Sequence, residues 1–218
     1  MARRLVVFDC DGTLVDSQAA IVRAMDEAFA AARLPPPDRN AVRRIVGLSL
    51  PQALLRLAPD AQDEQRAVAL EAYRTSFRSA RLDGSLEEPL YNGITPLLHR
   101  LHARGDALGV ATGKSDRGLL ACLARHSVRD LFVTLQTADR HPSKPHPAML
   151  EAALFETGAA PGDTVMIGDT VFDIAMAQAA GVRAVGVAWG YHEPEELLEA
   201  GASGVAATSE DLERLIDG

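Results

Sequence analysis

The first apolar run, Leu5-Val6-Val7-Phe8, contains no polar position and stops at Asp9-Cys10-Asp11-Gly12-Thr13. An apolar run without alternation predicts a strand covered on both faces, as parallel strands are, and this one brings two acids to its C-terminal end. Alternation along a strand would set Asp9 and Asp11 on one side and Cys10 on the other. After Thr13 the period lengthens. From Asp16 or Ser17 as N-cap, the residues Ile21, Met25, Ala28, Phe29 and Ala32 fall on one helical face, and Pro35-Pro36-Pro37 ends it. A second helix carries Val42, Ile45 and Val46. The segment Gly47-Leu48-Ser49-Leu50-Pro51-Gln52 restarts the pattern, with Ser49 and Gln52 spaced as a capping box and Pro51 in the first turn. In a longer helix beyond it, Leu70, Tyr73 and Phe77 share a face.

No strand pattern occurs between Asp16 and Glu88, and so long a helical stretch is too much for a loop. It predicts a small helical unit over 17–88, placed above the strand ends, with 1–16 and 89–218 forming the rest. The segment 89–96, which includes Asn92-Gly93, reads as the return connection. From there helices and strands alternate. Helices are predicted over 93–104, 115–126, 148–156, 172–180 and 194–200 and from 209 onward, and strands over 107–111, 131–135, 164–167 and 183–187 and near 205. That rhythm predicts an α/β fold, a doubly wound parallel sheet with helices on both faces.

Composition narrows the function. The 218 residues carry 22 basic and 30 acidic side chains, a net charge of −8, and no basic run or aromatic-basic alternation, which argues against nucleic acid and against anionic membrane surfaces as partners. The apolar stretch behind Arg3 and Arg4 ends at Asp9, too short for a leader core or a membrane span, so a cytoplasmic protein is expected. Cys10 and Cys122 read as packed thiols. Only two of the 22 basic residues are lysines, Lys114 and Lys144. In a chain so biased to arginine, a lysine marks a place for a compact ammonium. Lys144, in the proline-flanked segment His141-Pro142-Ser143-Lys144-Pro145-His146-Pro147, is expected to sit between Asp9 and a ligand oxygen. Lys114 is expected to meet the outer part of a ligand or solvent, and the histidines 141, 146 and 192 to lie on the surface near the mouth.

The predicted strand ends place chemistry on one edge, where open α/β sheets bind ligands. Asp9 and Asp11 come from the first strand, Thr112-Gly113-Lys114 from the second, and Gly168-Asp169 with Asp173 from a later one. Three or more carboxylates with oxygen-only donors suit Mg²⁺. Thr112 and the Gly113 N–H, at a strand-to-helix turn, suit an oxyanion, although Thr112 also fits a helix cap. Asp173 fits equally a metal ligand or the capping partner of Thr170. Gly113-Lys114-Ser115 looks like the end of a phosphate-binding Walker loop, but the glycine required five positions before Gly113 is Leu108.

Taken in order, Asp9-Cys10-Asp11-Gly12-Thr13-Leu14-Val15-Asp16, Thr112, Lys144-Pro145 and Gly168-Asp169-Thr170 with Asp173 resemble the four motifs of the haloacid dehalogenase-like hydrolases, over essentially the whole chain. The resemblance implies a Rossmann-like core with a helical type 1 cap, closest to the phosphoglycolate phosphatase group. It implies that Asp9 is the nucleophile and Asp11 the general acid/base, whose presence argues for phosphoryl transfer over dehalogenation. It assigns phosphate binding to Thr112, Gly113 and Lys144. Mg²⁺ binding falls to Asp9, Asp11 through its backbone carbonyl, and Asp169, with Asp173 nearby. Cap specificity is carried to Gly47, Leu48, Ser49 and Leu50. The substrate would be a small phosphorylated metabolite. A phosphosugar mutase of the β-phosphoglucomutase kind shares every core motif, and a phospho-acceptor module without turnover is a third reading, against which Asp11 speaks.

Overall fold

The computed structural model describes residues 4–218. Its centre is a six-stranded parallel sheet in the order β3-β2-β1-β4-β5-β6. The strands are β1 (Leu5–Phe8), β2 (Ala107–Thr112), β3 (Phe132–Thr137), β4 (Thr164–Gly168), β5 (Arg183–Val187) and β6 (Val205–Ala206). Strand β1 lies between β2 and β4, with Phe8 opposite Val110 on one side and Ile167 on the other. The chain winds outward in both directions from β1, so the crevice at its C-terminal end is a topological switch point.

The unbroken apolar run of β1 now has its reason. Val6 and Phe8 enter a core shared with α5 (Ile94–Ala103), α6 (Asp116–Arg125) and α10 (Ser209–Asp217). Leu5 and Val7 enter the opposite one, shared with α7 (Ala148–Thr157), α8 (Val171–Ala179) and α9 (Pro194–Glu199). Successive side chains serve opposite layers, so none can be polar without leaving a buried group unpaired. All four β1 residues are fully buried.

The helices predicted between the first two strands are α1 (Gln18–Ala31), α2 (Arg39–Arg44), α3 (Leu50–Leu57) and α4 (Asp63–Leu82). They share an apolar cluster of their own, in which Ile21, Met25, Ala28 and Phe29 of α1 meet Val42, Leu54 and Ala69. The connections to the sheet run side by side: Asp16 N–H donates to Pro89 O at 2.8 Å and Tyr91 N–H to Leu14 O at 3.0 Å. Tyr191, from the loop after β5, is buried in the same cluster and ties the helices to the sheet.

One local expectation fails. Ser49 is the N-cap of α3, but its side chain makes no capping bond, and its N–H instead donates to Ser143 Oγ at 2.8 Å. The capping box expected with Gln52 is therefore absent, because a contact to the Lys144 loop takes its place. The start of α1 falls where expected: Ser17 is its N-cap residue and Asp16 accepts from Gln18 N–H at 3.2 Å, while the Ser17 hydroxyl itself makes no capping bond. Among the described residues no helix is long and apolar enough to cross a membrane.

Candidate active site

Strand β1 ends at Phe8, and the backbone then coils so that Leu14 and Val15 N–H both donate to Cys10 O, at 2.9 and 3.0 Å. Gly12 makes this turn with φ of 82°. A Cβ there would lie 2.1 Å from Asp169 Oδ2, so glycine is required both by the turn and by the approach of the third acid. Because the coil starts immediately after Asp9, strand alternation does not govern Asp11, and the two acids enter different neighbourhoods.

Asp9, Asp169 and Asp173 form one neighbourhood. All three are fully buried, and each offers a carboxylate oxygen within 4.8 Å of the others. Lys144 reaches into it, with Nζ 2.9 Å from Asp9 Oδ1 and 2.6 Å from Asp173 Oδ1. Asp9 Oδ1 also accepts from Cys10 N–H at 2.6 Å. Asp9 Oδ2 has no partner, and is the one buried side-chain polar atom among the described residues left so. Burial pushes the Asp9 carboxyl up to about 7, partly opposed by Lys144 and reinforced by Asp173 and Asp11. Burial likewise raises Asp169 well above the carboxylate range, with the charges of Asp173 and Asp9 adding to it. Lys144 is held above its ordinary value: burial opposes the charge, but Asp173 and Asp9 outweigh it. Three buried carboxylates against one ammonium leave an excess of negative charge, and an unpaired oxygen faces it. This donor set of Asp9, Asp169 and Asp173 fits a hard divalent cation such as Mg²⁺.

Asp169 is oriented from both sides. Thr13 Oγ1 donates to its Oδ1 at 2.7 Å and Tyr191 N–H to its Oδ2 at 3.0 Å. Asp173 serves the helix and the site together. Its Oδ2 accepts from Thr170 N–H at 3.1 Å and Thr170 Oγ1 at 2.7 Å, which caps α8, while its Oδ1 holds Lys144. Thr112, buried at the end of β2, is not the cap of α6. Ser115 takes that part by accepting from Gly118 N–H at 3.1 Å, and the Thr112 hydroxyl accepts only from Lys114 N–H, at 3.2 Å.

Asp11 belongs to the second neighbourhood. Its Oδ1 accepts from the Ser17 hydroxyl and lies 2.8 Å from Lys114 Nζ, which also meets Glu88 Oε1 at 2.6 Å. Glu88 is buried and Lys114 nearly so, with Lys114 over the Phe77 ring at 5.7 Å. Lys114 does not stand free in solvent: it is clamped between two carboxylates, which hold its ammonium above the usual range against the effect of burial, and it forms part of the wall of a cavity. His192 is also not a surface residue. It is buried, accepting from Val171 N–H at 3.3 Å and lying 3.2 Å from Arg44 O.

A cavity of about 390 Å³ opens between Asp11 and the inserted helices. Gly47, Leu48, Ser49 and Leu50 line it together with Gly113 and Lys114. The loop presses on the sheet edge, since a Cβ on Gly113 would lie 2.5 Å from Leu48 O. Glu88, Ser17 and Tyr191 escaped the sequence reading. Each is chemically ordinary in its own segment and acquires a role only through residues far along the chain.

The described sheet edge can be set beside known proteins. Residues 6–187 match the family model for haloacid dehalogenase-like hydrolases. "Probable phosphatase IndB" of Dickeya dadantii (strain 3937) is 37% identical over 90% of this chain and 86% of that protein. "Phosphoglycolate phosphatase" of Vibrio vulnificus (strain CMCP6) is 30% identical over 98% and 95%. The crystal structure of a hydrolase from Pseudomonas syringae superposes with a TM-score of 0.87 at 25% identity, covering 99% of this chain and 98% of that one. The chain belongs to the haloacid dehalogenase-like hydrolases and is a phosphatase of that family.

Proposed function

We propose that the protein is a Mg²⁺-dependent phosphatase of the cytoplasm that hydrolyses a small, anionic phosphate monoester of the phosphoglycolate kind through an aspartyl-phosphate. The observation that carries this reading is the single unpaired oxygen of Asp9, buried beside Lys144 and directed into a cluster of acids. Lys144 and the Cys10 N–H hold the other oxygen, which orients the carboxylate and leaves Oδ2 free to attack phosphorus. Bound to Asp9, Asp169 and the Asp11 carbonyl, with Asp173 beside them, Mg²⁺ would supply positive charge against the phosphoryl oxygens.

The chain's own groups do the rest. Lys144, kept protonated by Asp173, neutralises a phosphoryl oxygen and reduces its repulsion from Asp9. Thr112 Oγ1 and the Gly113 N–H donate to the remaining oxygens. Asp11 lines the cavity in which the leaving group would lie, and gives its proton to the departing alkoxide. It then takes a proton from the water that opens the aspartyl-phosphate. Gly47 to Leu50, as the cap loop, cover Gly113 and keep bulk water from the first step. The substrate name comes from relatives such as the Vibrio vulnificus protein.

Phosphate release from phosphoglycolate and p-nitrophenyl phosphate, with Mg²⁺ and with EDTA, tests the reading. Release that requires Mg²⁺ supports it; equal release in EDTA overturns the metal's part, and release from neither ester overturns the phosphoglycolate-like substrate. In Asp11→Asn, the loss is expected to be larger for an alkyl phosphate than for p-nitrophenyl phosphate, whose leaving group needs no proton. Equal losses would remove Asp11 as the acid.

A further inference from the structure

The cavity beside Asp11 is larger and more cationic than a glycolate leaving group requires. Pockets of about 300 to 1,000 Å³ hold drug-sized ligands, and this one is about 390 Å³. Its inner wall is apolar, with Ile21 and Met25 of α1 and Tyr73 and Phe77 of α4. Four arginines also line it, Arg74, Arg78 and Arg81 from α4 and Arg117 from α6. Positions 74, 78 and 81 are spaced to form one stripe of a helix, about 10 Å long at 1.5 Å per residue.

The charge of that stripe is not spent inside the protein. Arg74 pairs with Glu71 at 2.8 Å, but Arg78, Arg81 and Arg117 have no carboxylate partner among the described residues. Of the two acids that line the cavity, Asp11 is paired with Lys114, and Asp139, which accepts from Asp116 N–H at 2.9 Å, is one carboxylate against four arginines. In a chain of net charge −8, unpaired cations gathered on one mouth focus an anion there. Phe77 packs against Lys114, whose Nζ touches Asp11, so the apolar lining begins beside the reacting end, and Arg78 follows Phe77 on the same helix.

Building on the phosphatase reading, we propose that the leaving group is longer than glycolate. An apolar stretch packs on Tyr73 and Phe77, and a distal anion, carboxylate or phosphate, is bound by Arg78 and Arg81 with Arg117 opposite. Guanidiniums bind both anions by paired N–H donors, so the end group is left to experiment.

The test measures kcat/KM with Mg²⁺ for 2-phosphoglycolate and for six-carbon monophosphates ending in hydroxyl, carboxylate or phosphate, with p-nitrophenyl phosphate as reference. We expect a charged six-carbon ester to exceed both the hydroxyl ester and phosphoglycolate by roughly tenfold or more, as charge-assisted pairs permit. In Arg78→Gln/Arg81→Gln, with the fold checked by circular dichroism, the ratio of charged to hydroxyl ester should fall to about twofold or less. The faster of the two charged esters identifies the end group. Equal rates for charged and hydroxyl esters, or a preference for phosphoglycolate that ignores the two substitutions, overturns the inference and leaves the phosphatase reading standing. Release from no ester, p-nitrophenyl phosphate included, overturns both.

Discussion

The two lysines of this chain stand in matching surroundings that do different work. Lys144 is clamped between Asp9 and Asp173, and Lys114 between Asp11 and Glu88, with separations of 2.6 to 2.9 Å in all four pairs. Around Lys144, every partner sits on the sheet or on a helix packed against it, all are fully buried, and one carboxylate oxygen remains unpaired. Around Lys114, the partners come from the two connections to the inserted helices, each carboxylate is paired with the ammonium, and the cluster borders the cavity. The first arrangement is held rigidly and left short of positive charge. The second is satisfied and attached to the parts that join sheet and helices. The difference suits the proposed mechanism, in which Asp9 is to be held fixed and Asp11 is to exchange a proton, although the two acids are only two residues apart.

The comparison breaks most visibly at Asp9. Asp9→Asn is expected to lower phosphate release by at least about a thousandfold, since an amide cannot form the covalent intermediate. Circular dichroism should be unchanged, because the amide oxygen can still accept from Cys10 N–H and Lys144. Release within tenfold of the parent would end the assignment.

Next comes the exchange of each lysine for arginine. Lys144→Arg puts a wide, planar group into a fully buried position, and a displacement of about 1 Å in an aligned site costs on the order of a hundredfold. On composition alone Lys114→Arg should be tolerated. Clamped as it is between Asp11 and Glu88, Lys114 is expected to lose more than about tenfold on the same change, which is roughly 1.4 kcal/mol in the barrier. Steady-state kinetics on the two single variants decides it. A Lys114→Arg enzyme near parental rate would show that the second cluster does not need its geometry.

A smaller effect is expected of Glu88→Gln, which leaves Lys114 to Asp11 alone and so ties down the group that must move a proton. The loss should be about tenfold in kcat for an alkyl phosphate and clearly less for p-nitrophenyl phosphate. A change confined to KM would instead place Glu88 in substrate binding.

The smallest effect is on stability. Asp169→Asn removes one of the buried like charges, while its amide oxygen can accept from Tyr191 N–H and its NH2 can donate to the Thr13 hydroxyl. In EDTA its Tm should lie about 2 to 5 °C above the parent. Mg²⁺ should raise the parent's Tm and not the variant's. A parent unaffected by Mg²⁺ would show that the excess charge is met in another way.

Much of this molecule is legible in the chain itself. The unbroken run at Leu5 to Phe8 dictates a strand covered on both faces, and the later alternation of strands and helices dictates the parallel sheet, because period and burial are local consequences of side-chain direction. Once the strands are parallel, their ends share one edge, so Asp9, Thr112 and Asp169 can be gathered without knowing a single contact. Tertiary structure alone decided the rest. Strand geometry stops at Phe8, and where Asp11 then points depends on the path of the return connection that brings in Glu88. The Ser49 capping box gave way to Ser143, 94 residues away, and Lys114 found its second acid 26 residues upstream. Arg78 and Arg81 of α4 could be counted at helical spacing, but not that they line a cavity without a carboxylate partner. Such pairings are fixed by which surfaces the fold brings together, and a chain's local pattern carries the direction of each side chain without the identity of its distant neighbour.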